Sequence, residues 1–243
     1  QTLLELEPRH QAAVIETGLD HFGQIRYMGS LVQPTIAVIT NIEEDHLDFY
    51  KDIDDIANAF ARFTALLPEN GVCIGNGDDP RVAELLKKQH CRTVSYGMGG
   101  ANQWRPLNLV YDETGCAEFD FCFEGKPMAH VHLHVPGEFN VMHALATMAA
   151  CVEAGALPEA VSESLSRFTA PHRRFEYTGT VCGVKLYTDY GHNPAEMHSA
   201  LENAAHQPHK RLFAVMQPHT YSRVKTLFKD YIHCCDLADE VLV

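Results

Sequence analysis

The run P-T-I-A-V-I-T over residues 34–40 restricts most tightly how this chain can fold. Residues 35–40 are apolar and β-branched without a charged interruption, as in a strand covered on both faces. Such strands belong to parallel sheets flanked by helices. The next segment has helical spacing, with Ile53, Ile56, Phe60, Phe63 and Leu67 on one stripe of residues 52–67. Between strand and helix the apolar run stops at Asn41, and N-I-E-E-D-H-L-D fills residues 41–48. Ligands of open parallel sheets bind just past the carboxyl ends of the strands. A buried strand ending in Asn, carboxylates and His46 therefore reads as a metal and phosphate site. It reads equally as a solvated loop whose acids favour the first turn of the following helix.

The same alternation extends along the chain. Strands are expected at residues 12–16, ending in Glu16, and at 71–75 and 92–96, with a helix at 81–88 that Pro80 opens. This is β-α-β-α-β order, the pattern of a parallel sheet. From about residue 105 the period changes to two. Strands at 107–111, 116–123 and 128–135, separated by D-E-T-G and E-G-K, form hairpins. Helices follow at 138–154 and 158–168, then a linker over 169–174 in which Pro171 fits a boundary. Beyond it come a hairpin (175–181 and 184–188), a helix (194–205), a buried strand (211–216), a helix (220–235) and a strand (240–243). The expected class is α/β. A central domain over residues 1–172 has a mostly parallel sheet with an antiparallel hairpin sub-sheet, and a partial Rossmann-like α/β domain covers 173–243.

A net charge of −13 without a basic tract argues against a nucleic-acid partner, which needs clustered Lys and Arg. It leaves room for a nucleotide bound through Mg²⁺, because the cation inverts the local electrostatics. The eight cysteines contain no C-x-x-C pair, the pattern of reduced thiols in a cytoplasmic protein. No apolar stretch approaches the roughly 20 residues of a membrane helix, so membrane insertion is not expected. The chain starts at Gln1 without a signal-peptide pattern, and we read it as a piece of a longer protein. The sequence does not give an oligomeric state.

Candidate residues gather at strand ends and at the linker. Glu16 and His46 follow adjacent strands and could share one divalent ion, since Mg²⁺ takes one or two protein ligands beside phosphate and water. Glu16 could equally cap the helix after it. Asn140 opens a helix, with or without a ligand. Arg173 and Arg174, next to His172, suit a bidentate phosphate grip, or form a solvated pair. Asp189 ends a strand, a place suited to a ribose hydroxyl. His132 and His134 alternate along a strand and read as surface or cross-strand residues. No H-E-x-x-H or comparable spacing supports a metal-dependent hydrolase.

Five motifs stand in order: T-N-I-E-E-D-H-L-D at 40–48, V-P-G-E-F-N at 135–140, R-R-F-E at 173–176, D-Y-G-H-N-P-A-E at 189–196 and Q-P-H-T-Y-S-R at 217–223. Together they make the chain resemble the Mur ligases, ATP-dependent amide ligases of peptidoglycan precursor synthesis. The last two motifs, and the absence of Lys over residues 58–66, resemble the branch that adds L-alanine to UDP-N-acetylmuramate. The resemblance implies ATP and Mg²⁺ and an acyl-phosphate intermediate. By motif position it implies Glu16 and His46 on Mg²⁺ and Arg174 on the ATP phosphates. Asp189 would face the ribose, and Asn140 with His143 the nucleotide. Tyr190, His192, His219 and Arg223 would line the alanine and acyl-phosphate side, with His46, Arg174, His192 and His219 carrying the chemistry.

The chain departs from the family at Phe139, where His is usual, at His143, where a second Asn is usual, and at Asn193, where a second His is common. Residues 17–24, T-G-L-D-H-F-G-Q, are nearer the dipeptide-adding branch. No G-x-x-x-x-G-K-[ST] loop occurs in the chain. The expectation is thus a central domain without its first strand and phosphate loop, plus part of a C-terminal domain, inactive by itself. The alternatives are another ligase of this superfamily, acting on murein peptide, other stem peptides or cyanophycin, and a non-catalytic binding module.

Overall fold

The computed structural model describes residues 2–19, 21–44 and 49–243. Three parallel strands, β1 (Ile36–Ile39), β2 (Val72–Asn76) and β3 (Arg92–Tyr96), pair Ile36 with Val72 and Ile74 with Val94. The crossovers are α2 (Ile53–Thr64) and α3 (Pro80–Lys87). β4 (Trp104–Tyr111) joins β3 in parallel at Tyr96–Trp104, and β5 (Cys116–Phe123) and β6 (Lys126–Pro136) complete the six-stranded order β1-β2-β3-β4-β5-β6. The connections within β4-β5-β6 are too short for a crossover, so these strands run antiparallel.

The expected elements form where their period is clear. Asp52 caps α2 by accepting from Asp55 N at 3.0 Å, and Ile56, Ala59 and Phe63 bury its inner face. These side chains share a core with Ile39, Tyr50 and Leu85, burial of each Ile, Leu and Phe among them contributing about 1.5–3 kcal/mol. A helix that the periodicity did not single out, α1 (Gln24–Val32), packs on α2 at Gly29. A β-carbon there would lie 2.8 Å from side-chain atoms of Phe63 and Leu66, so any larger residue would have to push them aside. Asp79 does more than cap α3. Its Oδ1 accepts from Arg81 N and Val82 N at 2.7 and 3.1 Å, while Oδ2 accepts from Ile42 N at 2.9 Å.

By backbone contacts the chain divides into two compact units: residues 1–107, 121–129 and 142–162, and residues 108–120, 130–141 and 163–243. Helices α4 (Glu138–Glu153) and α5 (Pro158–Leu165) follow β6. The second unit also holds the hairpin of β7 (Glu176–Val181) and β8 (Val184–Thr188), the helix α6 (Pro194–His206), and the parallel pair β9 (Phe213–Val215) and β10 (Glu240–Leu242). Its core includes Met197, Ala214, Tyr231, Cys234 and Cys235.

Three expectations are corrected. Residues 12–16 are no strand: they have no regular structure, and Val14 is 95% exposed. Apolar, β-branched composition cannot make a strand without a neighbour to complete its backbone hydrogen bonds. The expected strand at 211–216 is only three residues long, and Phe213 and Val215 face outward. The helix expected over 220–235 breaks at Leu227 into α7 (Tyr221–Thr226) and α8 (Phe228–His233), where Leu227 leaves helical geometry. His132 and His134 are exposed on one face of β6 as i, i+2 neighbours with ring centroids 4.9 Å apart, as surface residues should be. Among the described residues no helix is long and apolar enough to cross a membrane.

Candidate functional site

The linker and the end of β8 are tied into one cluster by backbone and carboxylate groups. Arg173 lies in the left-handed region with φ 62°. That conformation is held by Glu176, whose Oε2 accepts from Arg173 N at 2.7 Å while its Oε1 pairs with His172 Nδ1 at 2.7 Å. The Arg173 backbone N–H first, and then His172, hold the Glu176 carboxyl below the usual carboxylate range. Asp189 crosses from the other side, accepting from Phe175 N at 2.7 Å and Gly191 N at 2.6 Å. Tyr190 N closes the link by donating to Arg173 O at 2.7 Å.

These bonds place Tyr190 against both arginines. The Arg173 guanidinium stands 4.7 Å from the ring centroid and that of Arg174 5.9 Å. His192 meets the same ring edge-on at 5.4 Å. Its own loop is fixed by the start of α6: Glu196 Oε2 accepts from His192 N at 2.9 Å, and Asn193 Oδ1 accepts from Glu196 N at 2.9 Å in a capping box. Tyr231 from α8 donates to His192 O at 2.6 Å. The product is a surface on which two planar cations share one exposed aromatic ring, beside an imidazole. Guanidinium pairs of this kind suit phosphate or carboxylate oxygens.

The other expected residues fall in separate places. His219 and Arg223 form a pair of their own, Arg223 Nη1 donating to His219 O at 3.0 Å. Asn140 lies in the first turn of α4, its Nδ2 donating to Pro136 O at 2.7 Å. His143 stands one turn further along. Glu16 is exposed in the irregular segment. His46 lies outside the described residues, as do Asp45 and Asp48.

A model of the Mur ligase middle domain matches residues 1–151, more than half of the chain. The chain belongs to the Mur ligase family. The Mur ligase glutamate ligase domain matches residues 173–243, the stretch that holds the arginine–tyrosine cluster. The UDP-N-acetylmuramate–L-alanine ligase of Caldanaerobacter subterraneus subsp. tengcongensis is 40% identical over 210 residues, covering 86% of this chain and 46% of that protein. The Clostridium beijerinckii ligase of the same name is 38% identical with the same coverage. The chain thus spans about half the length of the curated relatives it matches. Among solved structures, MurF from Acinetobacter baumannii shares the fold with a TM-score of 0.87 at 24% identity, over 98% of this chain and 53% of that one. The UDP-N-acetylmuramate–alanine ligase MurC of Thermotoga maritima has a TM-score of 0.70 at 23% identity, over 89% and 46%.

Among the described residues no three His, Cys, Asp or Glu side chains converge on one point. Glu16 supplies one exposed carboxylate. One protein oxygen is compatible with Mg²⁺, which draws most of its shell from phosphate and water, and not with a closed structural site. The structure also adds residues to which the sequence assigned no role. Glu176 and Glu196 lie in the motifs at 173–176 and 189–196, but only the folded loops show them holding Arg173 and His192. Asp79 had a readable signal as the residue before Pro80, a cap position; its bond to Ile42, at the mouth of the 41–48 segment, had none.

Proposed function

We propose that the protein carrying these residues joins L-alanine to UDP-N-acetylmuramate with hydrolysis of ATP, through an acyl phosphate, in peptidoglycan precursor synthesis. The observation that carries this reading is the pairing of Arg173 and Arg174 on Tyr190, within the motifs of a chain 40% identical to a ligase of that name. Residues 1–172 form the nucleotide-binding part and 173–243 the amino-acid-binding part. A neighbouring Mur ligase fold, MurF of Thermotoga maritima, was solved in complex with ADP.

In this reading Arg174, oriented by Tyr190 and Arg173, binds ATP phosphate oxygens and neutralises charge as the γ-phosphoryl group passes to the muramoyl carboxylate. Asp189, anchored through Phe175 and Gly191, offers its remaining lone pairs to the ribose, and Asn140 with His143 faces the base. His192, beside Tyr190, accepts hydrogen bonds or a proton on the alanine side as the amine attacks the acyl carbon and phosphate leaves. His219 and Arg223 bind the alanine carboxylate and acyl phosphate. Mg²⁺, when bound, supplies further phosphate neutralisation, with Glu16 and His46 as the residues that would hold it. Positioning and charge neutralisation carry most of such a reaction. Substrates linked to nucleotides place the protein in the cytoplasm.

The test is phosphate release by the protein carrying these residues. Release is expected only when UDP-N-acetylmuramate, L-alanine, ATP and Mg²⁺ are present together; its absence from the complete mixture would refute the reading. A second reading, a ligase of another stem-peptide residue, is favoured only by residues 17–24. Amino-acid competition separates the two, since a dipeptide outcompeting alanine selects the second.

A further inference from the structure

Helix α6 touches, at the end remote from His192, the turn that carries Asn140. Asn203 on this helix is 4% exposed, and its Nδ2 has no hydrogen-bond partner among the described residues. An unpaired buried donor is destabilising, whereas an apolar side chain of similar shape at the same place is neutral or better. Packing alone therefore gives no reason for asparagine here. The Asn203 side-chain oxygen lies 2.4 Å from where a β-carbon on Gly137 would stand, and Gly137 has φ 102°. Gly137 in turn sets the start of α4: its N–H donates to Gly115 O at 3.0 Å, its carbonyl accepts from Asn140 N at 3.0 Å, and Asn140 Nδ2 reaches Pro136 O at 2.7 Å. The end of α6 is fastened to the same region again by Gln207 Nε2, which donates to Thr114 O at 2.5 Å. The helix has 13 residues, about 20 Å at 1.5 Å per residue, and its opposite end is the capping box that fixes the His192 loop.

We propose that Asn203 is a positioning residue for the nucleotide: by seating Gly137 against α6 it fixes the turn that presents Asn140. This rests on the ligase reading for the identity of the nucleotide. The experiment measures ATP binding by calorimetry, KM for ATP and for L-alanine, kcat and Tm, in the wild type and in three variants. Asn203→Leu should keep or raise Tm, weaken ATP binding and raise its KM about 5–20-fold, and leave kcat and the alanine KM within about twofold. Gly137→Ala should weaken ATP binding further, because its methyl group meets Asn203. Adding Asn203→Ala to it should restore part of the loss, the signature of direct coupling.

Unchanged ATP affinity in Asn203→Leu would overturn the proposal. So would a joint fall of Tm, kcat and both substrate affinities, which marks a purely structural role. A wild type that binds ATP without forming product defeats the ligase reading alone, and the ATP affinities still decide this one. A wild type that binds no ATP removes the nucleotide from the turn and defeats this proposal as well.

Discussion

Tyr190 keeps half of its surface in solvent while two guanidiniums lie over it. The ring orients cations more than it stabilises the fold. Tyr190→Phe keeps the ring and should leave KM for ATP near the wild-type value. Tyr190→Leu should raise it about 2–5-fold, because a cation–π contact at an exposed site is worth about 0.5–1 kcal/mol. Arg174→Ala should cost more, about 10–100-fold in KM for ATP, as expected from losing a charge-assisted hydrogen bond of about 1.5–3 kcal/mol. Steady-state kinetics at varied ATP checks all three. Thiols give an independent residue-scale test. Burial pushes the Cys73 and Cys234 thiols up to about 12, whereas Cys182 lies exposed in the β7–β8 turn. A thiol reagent at pH 8 should modify Cys182 first and spare Cys73 and Cys234 until the protein unfolds, because only the thiolate is nucleophilic. Early labelling of Cys73 would contradict its burial.

Helix α3 begins with a residue that serves two elements. Removing the Asp79 carboxylate loses a cap worth about 0.5–2 kcal/mol. It also leaves the Ile42 N–H unpaired, at about 1–3 kcal/mol. Asp79→Ala should therefore destabilise the first unit by about 2–4 kcal/mol in urea unfolding. Asp79→Asn should fall between, since one amide oxygen can serve the cap or Ile42 but its NH₂ can accept from neither. The start of α3 was legible in the sequence through Pro80, as were the helices and strands whose apolar period matches their geometry: α2 with its stripe, β1 and β2 with continuous apolar runs, β6 with strict alternation. What escaped depends on partners distant along the chain. Residues 12–16 have strand-like composition and no ladder. Gly29 marks a helix crossing only once Phe63 is opposite it. At the site, the motifs located Arg173, Arg174, Asp189, Tyr190 and His192, and the family resemblance gave them roles. The bonds that assemble them, Asp189 to Phe175 and Tyr190 to Arg173, join residues 14 and 17 positions apart and leave no local signature.

At the scale of the whole molecule, the two units are unequally supported. The first contains a cluster of thirteen buried residues around α2 and β1, whereas the cluster built on α6, α8 and β9 has five. Buried apolar area is the main source of stability, so the segment from α6 to β10 should open at lower urea than the parallel strands. Hydrogen exchange of amides in Pro194–His206 against those in Val72–Asn76 should give separate midpoints, and fluorescence of the single Trp104, buried in the first unit, should follow the later one. Acid should act on other parts of the second unit. Three carboxyls of the second unit are held below their usual range: Glu176 by the Arg173 N–H and His172; Asp120 by the Asn108 amide and His130; and Asp112, where burial pulls upward but the Thr114 hydroxyl and the Cys116 and Thr114 N–H groups outweigh it. A depressed carboxyl stabilises fully above its unfolded value, about 3.9 for Asp and 4.3 for Glu. That contribution is lost as pH falls through the lower folded value. In the first unit the described counterpart is Glu84, lowered by Lys88. Between pH 7 and pH 5 the two midpoints should hold their spacing. Below about pH 4 the amides around Asp112, Asp120 and Glu176 should lose exchange protection faster than the Trp104 signal falls. Asp112 and Glu84 are exposed and Asp120 and Glu176 only half-buried, so solvent screening keeps the acid effect small beside the separation already set by the cores. Coincident transitions at every pH would show that the five-residue core does not unfold independently.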